Sequence, residues 1–366
     1  KLIWFHGASV GEILSVIPLI EKLETNREIK QILITSNTLS SSKILSQLKL
    51  KKTIHQFFPI DTDWNANKFL NYWDPSVAIF IDSEIWPNMI TNIKKKSISL
   101  MLLNARITKK SFKRWKIFSS LAKNIFQKFD LCLASNIKST KFLKLLGAKN
   151  IKYVGNLKFT ESEKKLDILS NDLKKFFFSK KIWCASSTHN MEEQICANVH
   201  KKLKTKHKNL LTIIIPRHIH RVNKIIKQIE SLKLNVVKRS SNPKNLKNVD
   251  IYLVDTYGET KKFYQASNIV FMGKSLTRKG GQNPLEPTRF GATVLYGPNI
   301  NNFTDTYKLL DRLKISHKIN GVNSLFSIIN KLMIQPNNHK NYLKIEKIGK
   351  KILNETKDEI NSLLNN

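Results

Sequence analysis

In 366 residues, a 41% hydrophobic and 9% aromatic content supplies more than one packed core and sets aside a disordered chain. No run of eighteen apolar residues occurs, so nothing reads as a membrane-spanning helix. A net charge of +36 draws polyanions, whether nucleic acid, anionic lipid or a phosphorylated substrate, but the surplus is spread along the chain as a genomic composition bias would spread it, not gathered into the stripe a groove binder needs.

The chain opens at Lys1 without Met and enters an apolar run at once, so we expect a preceding segment in which a signal or anchor would lie. Short β-branched runs then alternate with amphipathic stretches, the pattern of parallel α/β architecture. Strands are expected at 2–5, 31–35, 77–81, 99–103 and 131–134. After a thinner stretch at 160–165 they resume at 182–185, 211–215, 235–237, 251–254, 269–272 and 293–296. This gives two doubly wound sheets, with domains at 1–165 and 166–341 and a closing helix at 342–366. In open α/β sheets ligands sit at the carboxyl ends of strands, so two such sheets facing each other would enclose a cleft. Cys132, Cys184 and Cys196 fall in apolar contexts without metal-ligand spacing, which suits buried thiols in a reducing cytoplasm and no zinc site.

Candidate chemistry gathers at strand ends. His6-Gly7-Ala8-Ser9-Val10-Gly11-Glu12 follows the first strand, and Glu12 reads either as a cap-region carboxylate or as a base. Ile81-Asp82-Ser83-Glu84-Ile85-Trp86-Pro87 ends another strand in carboxylates. Glu84 is expected at the same edge as Glu12, with Asp82 as a cap or second acid, and Arg106 in Asn104-Ala105-Arg106 is suited to a phosphate. In the second half, Ser187 and Thr188 open a helix as caps or as a phosphate cradle. Pro216-Arg217 places a cation at a strand tip, and Tyr257-Gly258-Glu259 follows another strand. Lys158 lies where the halves meet. His218 and His220, two apart on an expected helix, make a poor metal pair.

The longest pattern runs from Gly273 through Gly280-Gly281-Gln282-Asn283-Pro284-Leu285-Glu286-Pro287. Its glycines expose backbone N–H groups, Asn283 before Pro284 reads as N-cap and N1, and Glu286 then lies within reach of a ribose diol. A separate stretch, Lys109-Lys110-Ser111-Phe112-Lys113-Arg114-Trp115-Lys116-Ile117-Phe118, continued by Leu121, Ile125, Phe126 and Phe129, interleaves cations with apolar residues at helical spacing. It suits an anionic bilayer surface or packing on the sheet.

In order and wording these segments resemble the 3-deoxy-D-manno-octulosonic acid (Kdo) transferases of lipid A biosynthesis, from Phe5 to about Phe303. The resemblance implies a GT-B fold of two Rossmann-like domains. It implies metal-independent, inverting transfer of Kdo from CMP-Kdo to the phosphorylated, acylated acceptor lipid IVA at the cytoplasmic face of the bacterial inner membrane, with no cofactor beyond the donor. Glu12 would be the general base and Glu84 or Asp82 the second acid, Asp82 standing where the family usually has Glu. Pro216, Arg217, Tyr257, Gly258, Glu259, Asn283, Pro284, Leu285 and Glu286 would contact CMP, with Lys158 at the leaving phosphate. Lys274 and Gln282 replace the Gly and His more often found, and Tyr257 a Met. The alternatives are another GT-B nucleotide-sugar enzyme, transferase or UDP-sugar epimerase, and a nucleic-acid-binding protein, for which no recognition motif is visible.

Overall fold

The computed structural model describes residues 1–161, 169–242, 246–335 and 341–365. The chain divides into two compact units, Lys1–Ser162 with Lys347–Asn366, and Glu163–Glu346. The division expected at 165/166 falls outside the described residues. The closing helix spans Asn341–Asn365, and its residues from 347 onward pack with the first unit.

The first unit holds a seven-stranded parallel sheet of β1 Leu2–His6, β2 Gln31–Ser36, β3 Thr53–Phe57, β4 Val77–Ile81, β5 Ser99–Ala105, β6 Leu131–Ala134 and β7 Ile151–Tyr153, in the order β3-β2-β1-β4-β5-β6-β7. The second unit holds another, of β8 Lys181–Thr188, β9 Leu210–Pro216, β10 Val236–Lys238, β11 Ile251–Leu253, β12 Ile269–Met272, β13 Thr293–Tyr296 and β14 Ser316–Lys318, in the order β10-β11-β9-β8-β12-β13-β14. Near-continuous apolar runs such as VAIFI in β4 form parallel strands because helices cover both faces of the sheet. The order reverses beside the first strand of each sheet, between β1 and β4 and between β8 and β12, and it is outside the carboxyl ends at such switch points that open α/β sheets bind ligands.

The core follows from the large apolar side chains. Trp4, fully buried, donates Nε1–H to Thr35 Oγ1 at 2.9 Å and packs edge-on to Phe80. In the second unit Trp183, Phe271 and Leu295 belong to one cluster and Tyr252, Phe263 and Tyr307 to another. All three cysteines are free and buried, and burial pushes the Cys132 thiol up to about 12. Among the described residues no helix is long and apolar enough to cross a membrane.

Three strands escape the sequence pattern: β3, β7 and β14. Each is the outermost strand on its side of a sheet and is only partly covered, so the apolar run that marks a central strand is not required of it.

Candidate functional site

In the first unit the chemistry collects at the β1/β4 switch point. The turn after β1 leads into the helix Val10–Leu23, whose N-cap Ser9 forms a capping box with Glu12. Ser9 N–H donates to Glu12 Oε2 at 3.0 Å, and Glu12 N–H donates to Ser9 Oγ at 3.3 Å. The cap reading of Glu12 therefore holds, and its carboxylate is at once fixed in direction and partly exposed.

Asp82, the first residue beyond β4, takes left-handed backbone at φ +58°, and Asn104 in β5 does so at φ +54°. Asp82 N–H donates to the Leu103 carbonyl and Arg106 N–H to the Asp82 carbonyl, so the ends of β4 and β5 are stitched across. Asn104 donates its side-chain amide to Asp82 Oδ1, while its own Oδ1 accepts the buried Leu157 N–H at 3.0 Å. Leu157 begins the 3-10 turn that carries Lys158. Burial pushes the Asp82 carboxyl up to about 6; the Lys158 charge pulls it down and the Glu12 charge raises it further. Asp82 thus lies within electrostatic reach of both Glu12 and Lys158.

The placement of Lys158 depends on the C-terminal helix. A Cβ on Gly349 would stand 2.3 Å from the Phe159 carbonyl oxygen, so only glycine lets this helix lie against the turn. Nothing in the sequence pattern ties the tail to the site. Its signal is that Gly349 is the single glycine between 341 and 365.

Glu84 takes a different direction. Its Oε2 accepts Trp86 Nε1–H at 2.9 Å and lies 3.4 Å from Nε2 of the fully buried His6, whose ring stacks on Phe58 with centroids 3.9 Å apart. Asp82 is the acid that senses Glu12 and Lys158, whereas Glu84 is held by an aromatic pocket beside them.

In the second unit the carboxyl ends of β9, β8 and β12 carry the expected residues. Arg217 N–H donates to the Thr188 carbonyl at 3.0 Å, which sets the exposed Arg217 beside the end of β8. Thr188 neither caps a helix nor stands open to a ligand, because its hydroxyl donates to Glu193 Oε1 at 3.0 Å and Glu193 pairs bidentately with Arg221. Ser187, at φ +54°, presents its carbonyl to His189 Nδ1. Tyr257 is 78% exposed and Gly258 lies open. Glu259 is occupied: although burial opposes it, hydrogen bonds from Arg239, Thr256 and Lys262 hold its carboxyl down to about 2.

The glycine-rich loop is organised by Glu192, the first residue of the helix Glu192–Lys204. Its fully buried carboxylate accepts the backbone N–H of His189 (2.9 Å), Lys274 (2.8 Å), Ser275 (3.1 Å), Leu276 (3.0 Å) and Thr277 (3.4 Å), joining the loop after β8 to the loop after β12. Gly273 admits this approach, since a Cβ there would meet the Ser187 carbonyl oxygen at 2.4 Å. Four amides of the loop are thereby committed within the protein, and Gly281 N–H is committed to the Lys274 carbonyl, while Gln282 and Asn283 are partly exposed. The expected cap is corrected by one residue: Pro284, not Asn283, is the N-cap of the five-residue helix Leu285–Arg289, while the Asn283 side chain accepts Leu285 N–H at 3.2 Å from one position further back. Glu286 is close enough to add to the burial that raises the Tyr264 hydroxyl pKa.

Two doubly wound parallel sheets, each with polar residues at its switch point, define the fold class as GT-B. The UDP-GlcNAc 2-epimerase of Neisseria meningitidis, solved with UDP-GlcNAc, aligns over 100% of both chains with a TM-score of 0.68 at 12% identity, a likeness of fold alone. Residues 1–161 match the 3-Deoxy-D-manno-octulosonic-acid transferase (kdotransferase) domain. The 3-deoxy-D-manno-octulosonic acid transferase of Rickettsia felis is 33% identical over 365 residues, 97% of this chain and 78% of that one. That of Haemophilus influenzae is 30% identical over 315 residues, 84% and 73% respectively. The chain belongs to the 3-deoxy-D-manno-octulosonic acid transferase family, which makes it a glycosyltransferase.

Proposed function

We propose that this Kdo transferase moves Kdo from CMP-Kdo to lipid IVA with inversion at the anomeric carbon, Glu12 serving as general base and no metal taking part. The observation that carries this reading is the grouping of Glu12, Asp82 and Lys158 at the β1/β4 switch point. An acceptor hydroxyl attacks the anomeric carbon, its proton passes to the Glu12 carboxylate, and the bond to the CMP phosphate breaks with its electron pair leaving on phosphate. The ionised Asp82 supports the positive character of the sugar in the transition state, and Lys158 keeps it ionised. The stretch from Gly280 to Asn283, with Arg217, holds the nucleotide and supplies the charge that a metal supplies elsewhere.

The acceptor is an acylated lipid, and one surface suits it. Along the helices Lys109–Ile117 and Ser119–Phe126 the stripe is split. Phe112 stacks on Phe142 at 4.4 Å and Trp115 packs on Phe126, while Ile117, Phe118 and Leu121 are 75%, 65% and 48% exposed. Exposed Lys109, Lys110, Lys113, Arg114, Lys116 and Lys123 lie on the same helices. We read this patch as the contact with anionic lipid at the cytoplasmic face of the inner membrane.

Incubation with CMP-Kdo and lipid IVA, followed by mass spectrometry, tests the reading. Product heavier by whole Kdo units supports it, and unaltered lipid IVA in the presence of consumed or intact donor overturns it.

A further inference from the structure

Lys274 places a cation on the loop that follows β12. Its main chain is in left-handed conformation at φ +56°, which side-chain-bearing residues adopt at a cost and glycine does not. Both ends of its backbone are fixed: its N–H donates to Glu192 Oε2 and its carbonyl accepts Gly281 N–H at 3.1 Å. That geometry sends the side chain back over the loop. A Cβ on Gly280 would lie 3.4 Å from Lys274 Cε and 3.6 Å from its Nζ, and 3.1 Å from Asn302 Nδ2. Among the described residues the partly buried ammonium makes no hydrogen bond or ion pair. Its charge also reaches His189, whose pKa burial pulls down first and His218 and Lys274 further.

We propose that Lys274 binds the phosphate of the nucleotide donor over Gly280, with Glu192 as the positioning residue that fixes its backbone. The inference rests on the donor reading above and adds to it the group that meets the phosphate. An unpaired ammonium held above a glycine turn is a site for an anionic oxygen. A side chain retained where the backbone favours glycine indicates that the cation is worth the strain.

The test compares CMP with cytidine, which lacks the phosphate, by titration calorimetry on the full chain and on Lys274→Met and Lys274→Gly. We expect both variants to bind CMP about tenfold or more weakly, as loss of a charge-assisted hydrogen bond requires, and to bind cytidine as the wild type does. Lys274→Gly also relieves the left-handed residue, so it should melt no lower than the wild type, which separates lost binding from lost folding. CMP affinity in both variants within about twofold of a wild type that binds CMP overturns the inference and leaves the donor reading standing. A wild type that does not bind CMP overturns the donor reading and this inference with it.

Discussion

Asn104 donates its side-chain amide to the Asp82 carboxylate, and both residues hold left-handed backbone, at φ +54° and +58°. The same Asn104 accepts Leu157 N–H, so one side chain links Asp82 to the turn that bears Lys158. In Asn104→Ala the buried Leu157 N–H loses its acceptor, and we expect a loss of about 1–3 kcal/mol in denaturant unfolding. The kcat should fall at least about tenfold through misplacement of Lys158. Wild-type kcat in Asn104→Ala would show that this link is not used.

Asp82 gives the protein a pH signature. Its carboxyl is pushed up to about 6 from 3.8, so the folded state holds this proton more tightly than the unfolded chain. Its contribution to stability is therefore present at low pH and lost as pH rises from about 4 to about 6. Relative to Asp82→Asn, the wild type should lose up to about 2–3 kcal/mol of unfolding free energy over that window. Wild-type kcat/KM should fall on acidification with a midpoint near 6. A stability difference between the two proteins that does not change between these pH values contradicts the assignment.

Gly349 is the place where the C-terminal helix touches the Lys158 turn. Gly349→Ala drives a methyl into the Phe159 carbonyl, and we expect a destabilisation of about 1–3 kcal/mol by overpacking. Activity should fall with it. Unchanged melting together with unchanged activity would mean that the helix is free to withdraw.

Glu192 is the buried acceptor of five backbone N–H groups. Glu192→Ala leaves those donors without a partner, at about 1–3 kcal/mol for each that water cannot reach, so we expect the second unit to lose cooperative unfolding. Glu192→Gln keeps one oxygen acceptor and should retain the fold with weakened CMP binding. Hydrogen exchange at residues 274–277 reads the difference directly.

The central strands and most site positions are legible in the sequence for a shared reason. A strand buried on both faces must be apolar throughout, so its end, where polar residues resume, is sharply marked. Glu12, Asp82, Arg217 and the glycine loop were found this way. Outermost strands such as β14, with sequence SHK, carry no such mark because half of each lies uncovered. Nor does local pattern reveal which polar groups are already spent. Thr188 and Glu259 look available in sequence, yet Thr188 is satisfied by Glu193, itself held by the distant Arg221, and Glu259 by the distant Arg239. The choice between Glu84 and Asp82 is likewise long-range, since it turns on His6 and on Lys158.

The most direct measurement is the single-turnover transfer rate of Glu12→Gln. Its amide oxygen can still accept Ser9 N–H, so the helix cap persists and folding should change by less than about 1 kcal/mol. Only the proton acceptor is lost. We expect Kdo transfer to drop about 10²–10⁴-fold while CMP affinity is retained. A Glu12→Gln enzyme that transfers Kdo at close to the wild-type rate would contradict the assignment of Glu12 as the base.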